Sequence, residues 1–305
     1  MFLPAPPRDG DILGTGVCGN VIARMRGNDV VAVKTLAHER HSLLEADILK
    51  ELQGCPFVVK VHNQFSISSY YSCPGFVVME MEYIVALESI FRLRREKKER
   101  LPSKLQDAIS FQLFCAIEHL HSRGICHRDV KPSNVGVSQV GCVKLIDFGL
   151  FCKVKIGRSY TQEVVSLWWR APEMFLWPEY TDPCALDVWA ASVVAVEVYS
   201  GRCPFRASQE SEVFLKVHRA ISHPSEMDAL LMTVPQWIKP ALKSCLCDVE
   251  ERWTAEEAVK SFPSKVAILP LQGVYVPYYV TAAKKRSRPD EGETPSPLLP
   301  RCTSQ

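Results

Sequence analysis

Three glycines followed by a strand are the feature that most limits the fold of this chain. Gly14, Gly16 and Gly19 form the pattern G-x-G-x-x-G, a spacing that lets backbone N–H groups approach phosphates. Alone, the pattern also fits an ordinary glycine-rich hairpin. A dinucleotide-binding α/β fold would need a helix next, but residues 30–33 are Val, Val, Ala and Val. This β-branched run predicts a strand that ends at Lys34.

The composition is that of an ordinary globular chain. Of 305 residues, 47% are apolar and 23% are charged, and the net charge is +2. Disorder of the whole chain is excluded, because it requires low hydrophobicity and high net charge. A charge of +2 does not suit a nucleic-acid binder, whose affinity depends on excess Lys and Arg. At roughly 100–200 residues per domain, the length predicts two lobes or domains.

The sequence predicts neither a signal peptide nor a membrane span. Prolines at positions 4, 6 and 7 interrupt the apolar start. The most apolar stretch, residues 185–196, contains Asp187 and is shorter than the about 20 residues that a span needs. We expect a soluble, intracellular protein of the nucleus or cytoplasm, with no nucleic-acid or membrane partner. The basic residues of 284–288 fit either a nuclear-import signal or a solubilising tail.

The twelve cysteines are scattered along the chain. Only Cys245 and Cys247 lie close together, and no C-x-x-C pair occurs, so a zinc ribbon is not expected. A chain of this size does not need disulfides. We therefore expect the cysteines to act as small packing residues.

Strand patterns dominate the first eighty residues and helical patterns the rest. Leu44, Ile48 and Leu52 predict one helix among the early strands, and the charge run 92–100 indicates a solvated helix face or loop. The predicted divisions are an N-lobe (8–80), a C-lobe (81–265) with a hinge at 80–83, a C-terminal extension (266–283), and a disordered, basic and Pro-rich tail (284–305).

Three further motifs follow the lysine in order. They are His127-Arg128-Asp129-Val130-Lys131-Pro132-Ser133-Asn134, then Asp147-Phe148-Gly149, then Ala171-Pro172-Glu173. With these motifs, residues 10–265 resemble the eukaryotic protein kinase family, serine/threonine type. The resemblance implies an α+β, bilobal protein kinase fold, in which an antiparallel β N-lobe with one helix precedes a mainly α-helical C-lobe.

The resemblance assigns a task to each polar residue of these motifs. Lys34 is expected to hold the α- and β-phosphates of ATP, and Asn134 and Asp147 to ligate Mg²⁺, which prefers hard oxygen donors. Asp129 is expected to accept the proton of the substrate hydroxyl, and Lys131 to steady the γ-phosphate. Such transfer depends mostly on positioning and on the placement of cations.

The partner of Lys34 is chosen among three glutamates, Glu39, Glu45 and Glu51. The residues after Glu45 match the family pattern, so we select it. The alternative is that residues 42–45 form a capping box, in which Glu45 bonds back to the helix start. The separation from Lys34, 45 − 34 = 11, is shorter than in most relatives.

The resemblance also outlines a nucleotide site. Met79 would be the gatekeeper, and Glu80 and Glu82 would offer backbone C=O and N–H groups to adenine. Gly136 takes the place of a large aliphatic residue at the floor, which suggests a roomier pocket. The remaining predicted contacts, the glycine loop and the apolar roof, are Leu13, Gly14, Thr15, Gly16, Val17, Cys18, Gly19, Asn20, Val21 and Ala32.

Residues 158–173 are similar to the activation segment of cyclin-dependent kinases, in the CMGC group. Thr161 stands where those kinases take an activating phosphate. Leu44 and Cys152 replace two of the three arginines that dock the phosphate there, and only Arg128 is retained, so modest activation is expected. The resemblance does not decide whether a cyclin-like protein activates the chain, because the cyclin-binding helix sequence is absent. These departures suggest a compact, divergent relative of the sort that large DNA viruses encode.

The expected function is phosphorylation of protein serine or threonine by ATP and Mg²⁺, at sites followed by proline. Val164, Val165 and Arg170 resemble the pocket that proline-directed relatives use. The alternative is a pseudokinase that binds nucleotide and acts as a scaffold. Phosphorylation of a small molecule is the third reading, and Ala171-Pro172-Glu173 with the preceding segment argues against it.

Overall fold

The computed structural model describes residues 7–16, 19–27, 29–37, 40–67, 75–138, 141–154, 166–176 and 182–263. The predicted extension and tail at 266–305, with the basic cluster at 284–288, lie outside these residues.

The N-terminal part is an antiparallel sheet of five strands in the order β1-β2-β3-β5-β4. The β-branched run at 30–33 lies in β3, as the sequence predicts, and Lys34 is in register between Val21 of β2 and Met79 of β5. The strands are β1 (Ile12–Gly16), β2 (Gly19–Arg26), β3 (Asp29–Ala37), β4 (Val61–Ile67) and β5 (Phe76–Glu82).

One helix, α1 (Arg40–Glu51), lies between β3 and β4 and contacts β4 and β5. Ile48 and Leu52 are buried as the helical spacing predicts, whereas Leu44 is 43% exposed. Glu45 occupies the buried face instead, next to Ala46. A carboxylate replaces an apolar side chain in the helix core because it has a cationic partner in the sheet.

Three short strands beyond the sheet form a second layer. They are β6 (Ile84–Ala86), β8 (Val135–Ser138) and β9 (Val143–Leu145), ordered β6-β8-β9, while β7 (Ile125–Cys126) pairs with β10 (Cys152–Lys153). A parallel bridge joins Val58 to Leu145. The layer thereby connects the first sheet to the segment that carries the predicted site.

The C-terminal part is mainly helical, which matches the expected two-part architecture. Its central helices are α3 and α5, which pack against each other, and α9 packs on α3. The helices are α2 (Leu87–Glu96), α3 (Ser103–His121), α4 (Glu173–Leu176), α5 (Pro183–Ser200), α6 (Glu210–Ser222), α7 (Pro224–Leu230), α8 (Lys239–Cys245) and α9 (Ala255–Ser261), with a 3₁₀ turn at Leu167–Trp169.

Helix α5 is apolar on every face and forms the centre of this part. Pro183 stands in its first turn, and Asp182 caps it by accepting a hydrogen bond from Cys184 N at 2.9 Å. By length and composition α5 is the one helix of the described residues that could cross a membrane, but 83% of it is buried within the fold. A helix that is hydrophobic all round and enclosed by its own chain is a core helix.

A buried ion pair joins the start of α4 to the segment before α9. Nη1 and Nη2 of Arg252 contact the carboxylate of Glu173, at 2.6 and 2.9 Å. The guanidinium also lies 5.0 Å from the ring centroid of Trp189. This pairing braces the helical part. The charge run at 92–100 is not solvated throughout as the sequence predicted, because Arg94 is buried and pairs with Glu99.

We predict that Glu197 on α5 makes stability depend on pH. Burial raises the pKa of Glu197 to about 7, against the attraction of Arg95 and Arg206. In the unfolded chain this carboxyl has its ordinary pKa of 4.5, so the native state binds more protons between these pH values and the free energy of unfolding falls as pH rises. Glu197→Gln removes this titration. The free energy of unfolding of the variant minus that of wild type should therefore be larger at pH 8 than at pH 5, by on the order of 2–3 kcal/mol.

Urea unfolding of both proteins at the two pH values measures this difference. Glu226→Gln, at an exposed position of α7, is the matched control. An equal effect of Glu197→Gln at pH 5 and pH 8 would contradict the assignment.

Candidate active site

The carboxylate of Asp129 is the centre of a polar network. Its Oδ2 lies 2.7 Å from Lys131 Nζ and accepts a hydrogen bond from Asn134 Nδ2, also at 2.7 Å. Its Oδ1 accepts from the hydroxyl of Ser166 at 3.0 Å, and that hydroxyl accepts from Lys131 Nζ at 2.9 Å. Asp129 therefore faces three polar partners, with a cation beside it.

The loop that carries Asp129 is attached to α5 through Asp187. The two carboxylate oxygens of Asp187 accept hydrogen bonds from the backbone N–H groups of His127 and Arg128, both at 2.7 Å, and Oδ2 lies 3.1 Å from His121 Nε2. Arg128 has φ 67°, a left-handed conformation that is costly for a residue with a side chain. The bonds to Asp187 offset this cost and fix the direction in which Asp129 points.

Lys34 lies between two carboxylates. Its Nζ is 2.6 Å from Glu45 Oε1 and 2.8 Å from Asp147 Oδ1. Burial acts to lower the pKa of Lys34, but the two carboxylates outweigh it, and the pKa is raised above its usual value.

Of the three candidate glutamates, Glu45 makes this pair, Glu51 pairs instead with Lys153 at 2.7 Å, and Glu39 lies outside the described residues. Since α1 begins at Arg40, Ser42 lies within the helix and the capping alternative is wrong.

Asp147 and Asn134 are neighbours across a backbone hydrogen bond, from Ile146 N to Asn134 O at 2.9 Å. Burial acts to raise the pKa of Asp147, but the attraction and hydrogen bond of Lys34 bring it below its usual value, so the carboxylate is ionised at neutral pH. Asn134 uses its NH₂ group on Asp129, which leaves Oδ1 as its acceptor. A carboxylate and an amide oxygen are donors that suit a divalent cation of the Mg²⁺ kind.

The glycine motif forms the hairpin of β1 and β2. Gly16 pairs with Gly19, and Thr15 with Asn20, in antiparallel register. Gly19 has φ 148°, and a Cβ there would lie 1.9 Å from the carbonyl oxygen of Thr35, so only glycine fits. Val17 and Cys18 lie outside the described residues.

The predicted roof and hinge residues lie on adjacent strands. Leu13 and Val21 are half-buried, and Ala32 and Met79 are buried. The backbone N–H of Glu82, expected to face adenine, donates instead to Lys60 O at 2.9 Å. That part of the prediction is wrong in this structure, because β5 continues its bonding to the chain before β4 through Glu82. The side chain of Glu80 pairs with Arg26 at 2.9 Å.

Gly136 does not leave an open floor. A Cβ at this position would lie 2.5 Å from Ile84 Cγ2 and 2.6 Å from Val85 O. Strand β6 lies against the glycine and takes the space that a side chain would fill. The prediction of a roomier pocket is therefore wrong, since the missing side chain is compensated by a close approach of backbone.

Three residues of the predicted activation segment and proline pocket are not among the described residues. Thr161, Val164 and Val165 lie outside the described residues. Arg170 lies within them, and its Nη1 is 2.8 Å from Glu210 Oε1.

Ser166 and Asp187 belong to the site although neither was predicted there from the sequence. Ser166 is 37 residues from Asp129, and no local pattern links the two. The sequence did hold a signal for Asp187, because an acidic residue within an apolar stretch needs hydrogen-bond donors if it is buried.

Comparison with known proteins finds the family described as "Protein kinase domain" over residues 8–262. Serine/threonine-protein kinase ICK of Rattus norvegicus is 27% identical over 224 residues, which are 71% of this chain and 34% of the relative. Cyclin-dependent kinase 1 of Encephalitozoon cuniculi is 32% identical over 224 residues, 70% of this chain and 73% of the relative. Protein kinase gsk31 of Schizosaccharomyces pombe is 30% identical over 239 residues, 76% and 61% respectively. The chain spans about a third of the length of the rat protein.

We predict that the hydroxyl of Ser166 supports phosphoryl transfer by holding Lys131 and Asp129 together. Ser166→Ala removes two hydrogen bonds, each worth about 1 kcal/mol, and should lower kcat roughly thirtyfold while KM for ATP stays unchanged. Ser166→Thr keeps the hydroxyl and should retain most of the activity. Steady-state kinetics of both variants decide the matter, and equal losses in the two would show that the hydroxyl is not what acts.

Proposed function

The chain belongs to the protein kinase family, and we propose that it is an ATP-dependent serine/threonine kinase that phosphorylates proteins at Ser-Pro and Thr-Pro sites. The observation that carries the proposal is the pair of adjoining networks around Asp129 and Lys34. One has the groups to orient a hydroxyl, and the other has the charges to hold phosphates.

The first network suits the attack of a substrate hydroxyl. In the proposed reaction the hydroxyl oxygen bonds to the γ-phosphorus, the bond between that phosphorus and the β,γ-bridging oxygen breaks, and the proton passes to Asp129. Asp129 is placed for this by Asn134 and Ser166, each within 3.0 Å. Lys131 Nζ, 2.7 Å from Asp129, would stabilise the negative charge on the transferred group.

The second network suits the nucleotide. When nucleotide binds, Lys34 would break its contact with Asp147 and hold the α- and β-phosphates instead. Glu45 would keep Lys34 in place, since the Lys34–Glu45 pair is buried. We propose Mg²⁺ as the cation held by Asn134 and Asp147; when bound, it neutralises phosphate charge. The ionised state of Asp147, whose pKa is lowered, supports this role because a protonated carboxyl is a poor ligand.

The pseudokinase alternative is not favoured. A scaffold without turnover would not need Asp129, Lys131 and Ser166 to be aligned, yet these three are in mutual hydrogen-bond contact. The ion pair of Lys34 and Glu45, which would position Lys34 for the phosphates of ATP, is also formed.

We predict that Asp147→Ala and Lys34→Met each abolish nearly all phosphoryl transfer while the fold is retained. Asp147 supplies a metal ligand and Lys34 a phosphate contact, and catalysis of this kind rests on placing those charges. Asp129→Asn should cost about 10²–10⁴ in kcat, the usual contribution of a positioned base. Transfer of labelled phosphate from ATP to a generic protein substrate measures all three, with circular dichroism as the test of folding.

Asp228→Asn is the control, because Asp228 is an exposed acidic residue on α7, paired with Lys243. It should have wild-type activity. Substantial turnover in folded Asp147→Ala would reject the metal assignment, and nucleotide binding without turnover by the wild-type chain would establish the pseudokinase.

We predict that peptides with Thr-Pro are better substrates than matched peptides with Thr-Ala. In the pocket that the resemblance implies, Arg170 occupies the backbone carbonyl that would otherwise pair the N–H of a residue after the phosphoacceptor. An unpaired N–H costs about 1–3 kcal/mol, or roughly tenfold to hundredfold, and proline avoids this cost. Comparison of kcat/KM for peptides that carry the sequence of residues 292–299, which contains Thr294-Pro295 and Ser296-Pro297, gives the measurement.

Equal kcat/KM values for the two peptides would reject proline direction without affecting the kinase assignment. Trp169 would then be the first suspect, because relatives usually have tyrosine there.

A further inference from the structure

Three cysteines and a histidine from four separate elements meet beneath the loop of Asp129. Cys126 ends β7 and Cys184 lies in the first turn of α5, and their sulfur atoms are 2.9 Å apart. His121 ends α3, and the ligand atoms of His121, Cys126 and Cys184 all lie within 4.8 Å of one another. Cys126 and Cys184 are 58 residues apart along the chain, so folding alone brings them together.

A third thiol belongs to the same cluster. Cys152 of β10 is the register partner of Cys126 of β7, and side chains that lie directly opposite each other on antiparallel strands are about 4.5–5.5 Å apart at Cβ. The cluster therefore offers three sulfur atoms and one imidazole, with Cys126 at its centre. Cys126 is fully buried, whereas His121, Cys152 and Cys184 are half-buried.

We propose that this thiol cluster is a structural zinc site with the ligands His121, Cys126, Cys152 and Cys184. Three thiolates and one imidazole are a donor set of structural zinc, which is four-coordinate and tetrahedral. Zn–S bonds of about 2.3 Å place the sulfurs of such a site about 3.8 Å apart, so the sulfurs of Cys126 and Cys184, which are 2.9 Å apart, would move apart when zinc binds. Small side-chain rotations would bring the ligands onto one ion, with one proton released from each thiol.

The surroundings of His121 suit a metal ligand. Its Nε2 lies 3.1 Å from Asp187 Oδ2, and a carboxylate that holds the second nitrogen of a ligating histidine is the usual arrangement at zinc. A metal on Nδ1 would leave this hydrogen bond in place. The same carboxylate holds the backbone of His127 and Arg128, so the zinc would stabilise the base of the loop without touching the reacting groups.

The site is independent of the proposed function, because none of its ligands belongs to the network of Asp129 or Lys34. It also differs from the Asn134–Asp147 cation site in its donors, which are soft sulfur and nitrogen atoms instead of oxygen atoms. The two sites can therefore be tested separately.

The experiment is metal analysis of the full chain, purified under reducing conditions without chelator or affinity metal. We expect about one zinc ion per chain, with Co²⁺ substitution giving sulfur-to-metal charge-transfer bands and intense tetrahedral d–d bands. Cys184→Ser and Cys152→Ser should lose most of the zinc and weaken these bands. Cys203→Ser, at a half-buried cysteine elsewhere in the chain, and Asp147→Ala should retain the zinc.

Removal of zinc by a chelator should lower the Tm of wild type but not that of folded Cys184→Ser, since a metal stabilises only a protein that binds it. Zinc content below about one-tenth per chain, or zinc unchanged by both Cys184→Ser and Cys152→Ser, would overturn the proposal. The proposal would also be overturned if peptide mapping found a Cys126–Cys184 disulfide in protein that was purified in reducing buffer and contains no metal. If Cys184→Ser fails to fold, Cys152→Ser carries the test, because Cys152 lies on a two-residue strand.

Discussion

A buried carboxylate, that of Asp187, holds the loop of Asp129 to the core of the helical part. Its burial would be costly without donors, but two backbone N–H groups at 2.7 Å and His121 at 3.1 Å supply them. These bonds hold Arg128 at φ 67°, and the next residue is Asp129. The position of Asp129 is thus determined by α5, the buried central helix of the fold, instead of by the loop itself.

The nucleotide side of the site depends on the connection between the two sheets. The backbone of Leu145 bonds to both Phe57 and Val59, at 2.8 and 3.1 Å, and Asp147 follows two residues later. This connection brings Asp147 within 2.8 Å of Lys34, and Lys34 in turn reaches Glu45 on α1. Asp147, with φ 63°, is a second residue held in the left-handed region. Strain at both Arg128 and Asp147 indicates that neighbouring structure imposes the geometry of the site.

The sequence could predict those parts of the fold and site that short patterns encode. The β-branched run at 30–33, the apolar helices α3 and α5 and the motif residues Asp129 and Asn134 are of this kind. The contact of Ser166 with Asp129 was not predictable, because nothing in the local sequence of Ser166 indicates that it lies beside Asp129. Gly136 shows the same limit: the missing side chain was visible in the sequence, but the close approach of Ile84 was not.

The cysteines show why spacing rules miss sites of this type. Rules for zinc motifs look for paired ligands a few residues apart, and such pairs occur where one loop supplies two ligands. In this fold each proposed ligand comes from a different element, and only His121 and Cys126 are near in sequence. Cys152 stands where cyclin-dependent relatives carry a phosphate-docking arginine, yet here it lies opposite Cys126 in the register of β7 and β10. With zinc bound, the start of the activation segment would be fixed to α3 and α5 by a metal, a connection that needs no phosphate on Thr161.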